Sequence, residues 1–195
     1  MIVKRFDICR FIGLPAPLCN YAKITVNGEY YGCYLAVEPV GKDFCKWNFG
    51  EDYGSLYKPL HSLNYTGFWP SKYRLIKDTV KIERSPFSNV KTVLKSVHKK
   101  QNIESHVDVD AVLKYMAVQT MVVNLDGLTG DTTHNFYLYE SDGRISLIPW
   151  DYDLAFGGKM LYIESMFNQR MQDLDQGTFN KEEWFQKRRL LITMR

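Results

Sequence analysis

No stretch of the 195-residue chain holds 18 consecutive apolar residues, so nothing in it is expected to span a membrane. The opening residues, Met1-Ile-Val-Lys-Arg-Phe-Asp7, lack the charged-then-apolar order of a secretory signal. None of the four cysteines (Cys9, Cys19, Cys33 and Cys45) is spaced C-x-x-C, and no paired histidines accompany them, which argues against zinc. They read as small buried thiols rather than as two disulfides. A surplus of one charge is also missing. With 25 Lys and Arg against 22 Asp and Glu, a net charge of +3 does not mark a nucleic-acid binder. The basic run Lys91, Lys95, His98, Lys99 and Lys100 follows a helical pattern and reads as a solvated face. Internal repeats and low-complexity tracts are lacking too.

What is present is enough apolar residue, 45%, to bury a core, and many aromatics, 13 Tyr and 11 Phe. Residues 1–12 read as the end of a helix, closed by Gly13 and Pro15-Ala-Pro17. Tyr21–Val26 and Tyr30–Val40 alternate as strands about an Asn27-Gly28 turn. A short helix is expected over Lys42–Phe49 and a strand over Ser55–Lys58. Two helices follow: amphipathic Ser88–Lys100, and Val109–Val123 with Asp108 as N-cap. The second is apolar or small at Val112, Leu113, Met116, Ala117, Thr120 and Met121, the pattern of a central, buried helix. The polar loop 124–135 then enters a second hairpin, Phe136–Tyr139 and Ile145–Ile148, turning at Asp142-Gly143. The chain ends in a basic helical run at Lys187–Leu191, and truncation is expected there too.

That second hairpin gathers the chemistry. If Asp142-Gly143 is a two-residue loop, Ser141 faces Arg144, and counting back pairs Asn135 with Trp150. Asn135 at the entrance and Asp151 just past the exit then share one end of the hairpin, where the loop bearing Asp126, Asp131 and His134 also opens. Asp153 lies close by in sequence. Clustered carboxylates repel unless a cation or an acid–base role offsets them. Oxygen ligands suit a hard cation, Mg²⁺ or Mn²⁺, and the loop lacks EF-hand spacing. A buried helix, a loop Asp, an Asn, a hairpin and a further Asp is the order of parts in a kinase C-lobe. There the first Asp serves the acceptor hydroxyl, and the Asn and second Asp hold metals on the nucleotide phosphates. A two-metal hydrolase or a calcium-braced loop remains open on these residues alone. Asp131 serves equally as a backbone cap, Asp153 as a supporting carboxylate and His134 as a hydrogen-bonding brace. Pro149 and Trp150 are expected to pack and fix the approach of Asp151.

Three stretches resemble the spore-coat-protein-H (CotH) kinase family: Asn27–Glu38 with Phe44 following, Gly54–Lys58, and Asp126 through His134-Asn135 to Ile148-Pro-Trp-Asp-Tyr-Asp-Leu-Ala-Phe-Gly157. They keep the family's order over about residues 13–158. The resemblance implies an α+β, atypical protein-kinase-like fold: an N-lobe remnant and hinge over 1–58 and a mainly helical C-lobe over 59–195, one partial domain in all. It implies transfer of the ATP γ-phosphate to Ser or Thr of proteins, with Mg²⁺ or Mn²⁺, in a spore coat or at a cell surface. Matched by motif, Asp126 is the catalytic-loop Asp, Asn135 and Asp151 are metal ligands, and Glu38 lies near the adenine-binding hinge. Lys58 approaches phosphate on this reading, or is a strand-edge lysine. The family's preceding strand, with its phosphate-pairing Lys, and all but the tail of its helix are missing, and no Gly-rich phosphate loop is visible. An N-terminally truncated member is therefore expected, with a non-catalytic coat or surface protein on the same fold as the alternative.

Overall fold

The computed structural model describes residues 3–59, 73–77, 87–130 and 134–175. The chain divides into two compact units, residues 1–156 and 157–195. In the first, the order is α1 (Val3–Phe11), β1 (Cys19–Val26), β2 (Glu29–Val37), α2 (Lys42–Phe49), β3 (Ser55–Pro59), β4 (Tyr73–Lys77), α3 (Phe87–Lys99), α4 (Ile103–His106), α5 (Val109–Met121), β5 (Phe136–Ser141) and β6 (Arg144–Pro149). The second contributes α6 (Gly158–Asp175). The protein is thus mixed α+β. No described helix is long and apolar enough to cross a membrane. The basic run at 187–191 lies outside the described residues.

β1 and β2 form a separate two-stranded antiparallel sheet. Asn27 and Gly28, both at positive φ (52° and 87°), make the primed turn that the right-handed strand twist favours. The returning strand stops at Val37 rather than continuing to Val40. Pro39 has no N–H for a ladder, and Val40 turns inward to a core. The hairpin is largely exposed, with Tyr21, Tyr30, Tyr31 and Tyr34 all open to solvent.

The second sheet is antiparallel in the order β4-β3-β5-β6. Strand alternation sends its side chains into two cores. Tyr57, Phe136, Leu138, Ile145 and Leu147 face a core shared with Phe6 and Cys9 of α1, Tyr115 and Val118 of α5, and Tyr152. Leu56, Tyr137, Tyr139 and Ile148 face the other, with Val40, Phe44, Cys45 and Tyr53. A sheet covered on both faces is a rigid platform for whatever leaves its strand ends. Because β3 lies between β4 and β5, Lys58 is not a strand-edge lysine.

α5 starts as expected, with the Asp108 carboxylate accepting from the Ala111 N–H at 3.1 Å. Burial all round does not follow. Tyr115, Val118 and Gln119 form the buried face, while Leu113, Met116 and Met121 are exposed. The core covers one stripe of helical spacing, and the apolar residues outside it have no cover among the described residues. The thiols are a second correction. None of the four is in a disulfide, but only Cys9 and Cys45 are buried; Cys19 is half-buried and Cys33 exposed. Cys33 sits in the hairpin whose faces are open. The α3 cluster Lys91, Lys95, His98, Lys99 and Lys100 is exposed.

Candidate active site

The site is built where α5 runs out. Past its C-terminus, Val123 adopts φ 47°, a conformation in which a β-branched residue is strained. The Asn124 N–H donates to the Gln119 carbonyl. Asn124 then folds its own side chain back, its Oδ1 accepting from the Asp126 N–H at 3.2 Å, a local turn that Asn makes readily. The loop closes so tightly that a Cβ at Gly130 would stand 1.8 Å from the Leu125 carbonyl oxygen. Only glycine fits there. Asp126 is thereby held nearly buried, 4% exposed.

The entrance to β5 meets this loop. Asn135, 7% exposed, donates from Nδ2 to Asp126 Oδ2 at 2.7 Å. Only the NH₂ of an amide can donate to a carboxylate, so this bond fixes the amide and leaves Oδ1 as its remaining acceptor. The β5–β6 register runs from Ser141↔Arg144 to Phe136↔Pro149. Asp142 (φ 52°) and Gly143 (φ 76°) make the turn. One further step sets Asn135 opposite Trp150, with Asp151 next. Both Asn135 (φ 61°) and Asp151 (φ 52°) are left-handed, a region that Asn and Asp enter more easily than other non-glycine residues.

Lys58 approaches from β3 on the sheet face of Leu56. Its Nζ lies 4.3 Å from the Tyr137 ring centroid and 5.7 Å from that of Trp150. The residue is half-buried, but its Nζ is fully so and has no hydrogen-bond partner among the described residues. Burial pushes the ammonium pKa down to about 8, opposed in part by the Asp151 carboxylate, whose charge it feels. Tyr137 feels the same carboxylate, and burial first, then that charge, pushes its phenol up to about 12. Trp150 packs edge-on against Tyr137 at 5.6 Å and joins the second core. It fixes the chain on one side of Asp151. Tyr152 fixes the other, its ring 5.2 Å from Phe6 and its hydroxyl accepting from Gln119 Nε2 at 2.9 Å.

Asp126 and Asn135 are therefore joined directly, and the register carries Asp151 to the same end of the hairpin. Lys58 reaches Asp151 through its field. Asp153 and His134 lie half-buried beside these residues in the chain. Asp131 is outside the described residues. Glu38 is committed elsewhere: its carboxylate accepts from the Leu18 N–H at 2.9 Å and braces the base of the first hairpin. The sequence reading did not single out Gln119 or Asn124. A lone Gln in an apolar helix and an Asn after it were the available signals.

The family model for the CotH kinase protein matches residues 5–193. The chain belongs to the CotH kinase protein family. It is also similar to the inner spore coat protein H of Bacillus subtilis (strain 168), with 26% identity over 167 residues, 77% of this chain. The chain spans 44% of that CotH relative's length.

Do these residues suit a metal and a nucleotide? Among the described residues no three His, Cys, Asp or Glu side chains gather as a metal cluster. The donors on hand are the Asp151 carboxylate and the Asn135 carbonyl. That sparse, hard-oxygen set is the kind Mg²⁺ accepts when phosphate oxygens and water complete the octahedron. A lysine with a buried Nζ and no anionic hydrogen-bond partner is the matching donor for phosphate.

Proposed function

We propose that this CotH-family chain has an atypical protein-kinase-like fold and is a metal-dependent protein kinase, transferring the ATP γ-phosphate to Ser or Thr of coat or cell-surface proteins. The observation that carries the reading is the 2.7 Å bond between Asn135 Nδ2 and Asp126 Oδ2, made inside a site that also receives Asp151 and Lys58. A plain structural turn has no need of a carboxylate, an amide and a second carboxylate converging beside a desolvated cation. Phosphoryl transfer does, since its catalysis is mostly positioning and charge stabilisation.

In this reading Asp126 orients the acceptor hydroxyl and takes its proton as the new O–P bond forms and the bond to the leaving diphosphate breaks. Asn135 holds Asp126 in place through Nδ2 and turns Oδ1 toward the metal. Asp151 is the anionic metal ligand, and Lys58 bears on the phosphates. A bound Mg²⁺ or Mn²⁺ would neutralise the charge that builds on the phosphate oxygens. His134, Asp131 and Asp153 support the loop ends. Glu38 keeps a place at the adenine side of the hinge only if its Leu18 bond opens.

The test is label transfer from γ-labelled ATP, with Mg²⁺ and then Mn²⁺, to the chain and to a generic acceptor protein. Label is expected with the native protein and absent with Asp151→Ala or Asp126→Ala, each folded by circular dichroism. Equal labelling by Asp151→Ala sinks the assignment. Free phosphate with no protein labelled indicates a phosphohydrolase. A second reading, a non-catalytic coat or surface protein, is favoured by the relative's designation as a spore coat protein and by the exposed tyrosines of the first hairpin. Turnover by the purified native chain counts against it.

A further inference from the structure

Between the two arms of the site lies one buried polar side chain that the reaction does not use. Gln119, on the buried face of α5, is 1% exposed. Its Nε2 donates to the Tyr152 hydroxyl at 2.9 Å. Its Oε1 lies over Gly127, 3.0 Å from where a Cβ on that residue would stand. Tyr152 directly follows Asp151, and Gly127 directly follows Asp126. A single carboxamide, about the width of one peptide group, thus touches the chain immediately beyond each carboxylate.

The surroundings make this contact stiff rather than incidental. Cys9 of α1 backs the Tyr152 hydroxyl from the far side, Sγ 3.6 Å from the oxygen. The Tyr152 ring is packed against Phe6. Asn124 Nδ2 crowds the same point above Gly127, 3.4 Å from the hypothetical Cβ. Any side chain at 127 would press on the Gln119 carboxamide, and any shift of Gln119 would reach Tyr152. A buried amide bonded to a buried hydroxyl is also held in place, because breaking the bond takes a desolvated Nε2 donor away from its Tyr152 acceptor.

We infer that Gln119 is a positioning residue that sets the separation between the Asp126 arm and the Asp151 arm of the site. The inference rests on the kinase reading above and deepens it. Gln119 touches neither substrate nor metal; it acts through Tyr152 and Gly127. Distance between a base and a metal ligand is what phosphoryl transfer is most sensitive to, and a displacement on the order of 1 Å can lower a rate about 100-fold.

The experiment compares Gln119→Leu, Tyr152→Phe, their double variant and Gly127→Ala with a control, Val118→Ala. Val118 is buried one residue away on the same helix, so its truncation reports general loss of core packing. Two readouts are taken on the full chain: calorimetric binding of a non-hydrolysable ATP analogue with Mn²⁺, and the rate of label transfer. Gln119→Leu and Tyr152→Phe are each expected to slow transfer roughly 10- to 100-fold and to weaken Mn²⁺-dependent binding. The double variant is expected to be no worse than the poorer single, since both break one link. Gly127→Ala should reproduce the loss, and Val118→Ala should lower the melting temperature with native binding and rate. Full additivity in the double variant, or equal losses in Val118→Ala, overturns the inference while leaving the kinase reading standing. A native protein that binds no Mn²⁺–nucleotide and transfers no label overturns both. Should Gln119→Leu fail to fold, Tyr152→Phe and Gly127→Ala carry the same comparison.

Discussion

Replacing Lys58 by Met separates what this residue does for the fold from what it does for the site. Burial lowers the ammonium pKa from 10.5 to about 8, with the Asp151 charge acting against that shift. Holding the charge at pH 7 therefore costs the native state about 3 kcal/mol relative to the unfolded chain. Residual contact with solvent reduces this to roughly 1–3 kcal/mol. The native state sheds this proton near pH 8 and the unfolded chain near 10.5. In between, the unfolded state binds more protons, so stability rises with pH across that window. The raised thiols and phenols act in the opposite sense at higher pH. Burial raises Cys9 from 9.0 to about 11 and Tyr137 from 10.0 to about 12, so the unfolded state loses those protons first and stability falls. The unfolded thiols already begin to titrate by about pH 9, so the Lys58 contribution between about pH 8 and 9 is read as the difference between the native protein and the Lys58 variant. Met keeps the apolar stem against Tyr137 and Trp150 but gives up the cation–π contacts, on the order of 1 kcal/mol. Urea denaturation at pH 7, 8 and 9 should show Lys58→Met as stable as the native protein, or up to about 2 kcal/mol more stable. Relative to the native protein, the variant should lose the stabilisation that Lys58 gains between about pH 8 and 9, and Mn²⁺-dependent ATP binding should be weaker. A variant less stable by more than about 1 kcal/mol at pH 7, with the native pH rise intact, would refute the claim that Lys58 is a desolvated cation kept for function.

At Asn135, Ala removes the amide donor to the buried Asp126 carboxylate, a loss of about 2–3 kcal/mol. Because Asn135 sits at φ 61°, Asn135→Gly should lose about 1 kcal/mol less than Asn135→Ala in the same urea titration; equal losses would mean that the left-handed backbone carries no strain. Gly130→Ala must move the Leu125 carbonyl, since its Cβ would lie 1.8 Å from that oxygen, and a destabilisation on the order of 3 kcal/mol or more is expected. Native stability in that variant would show that the 124–130 loop is not closed as described.

The β-hairpins were legible because their signals are local. Asn27-Gly28 and Asp142-Gly143 declare primed turns, and the second fixes a register that brings Asn135 and Asp151 to one end. The α5 N-cap at Asp108 was legible for the same reason. What failed was inference about partners distant in sequence. Leu113, Met116 and Met121 read as core residues, yet burial depends on which stripe α1 and β6 cover, and that is set by packing rather than by composition. Lys58 read either as approaching phosphate or as a strand-edge lysine; the interior position of β3 follows from its pairing with β5, some 80 residues later. The bond from the Leu18 N–H to Glu38 is a consequence of hairpin closure that the residue itself does not announce. Gln119 gave only a weak signal, a lone amide in an apolar helix. A polar residue on a buried helical face has meaning only once Tyr152 and Gly127 are seen on either side of it.

The backbone around the site shows where packing energy is spent. Asn135 and Asp151 enter the left-handed region cheaply, as their residue types allow. Val123 and Phe156 do not, and they stand at φ 47° and 57° at the entry to the Asp126 loop and at the exit from the Asp151 segment. The two strained points are tied together, since the Phe156 N–H donates to the carbonyl of Val122. Val122 is fully buried and Ala155 nearly so, on the same core that holds Tyr115, Val118 and Tyr152. Each strained residue costs about 1–2 kcal/mol. That cost falls on residues that carry no chemistry, and it persists only because buried neighbours on both sides leave no relaxed alternative. The effect is to close the segment 123–156 into a loop pinned at its ends, inside which Asp126, Asn135 and Asp151 are set by a hydrogen bond, a strand register and edge-on and tilted ring contacts. A loop needed only to join a helix to a hairpin has no reason to be pinned this way. One that must keep two carboxylates at a fixed distance across a transferring group does.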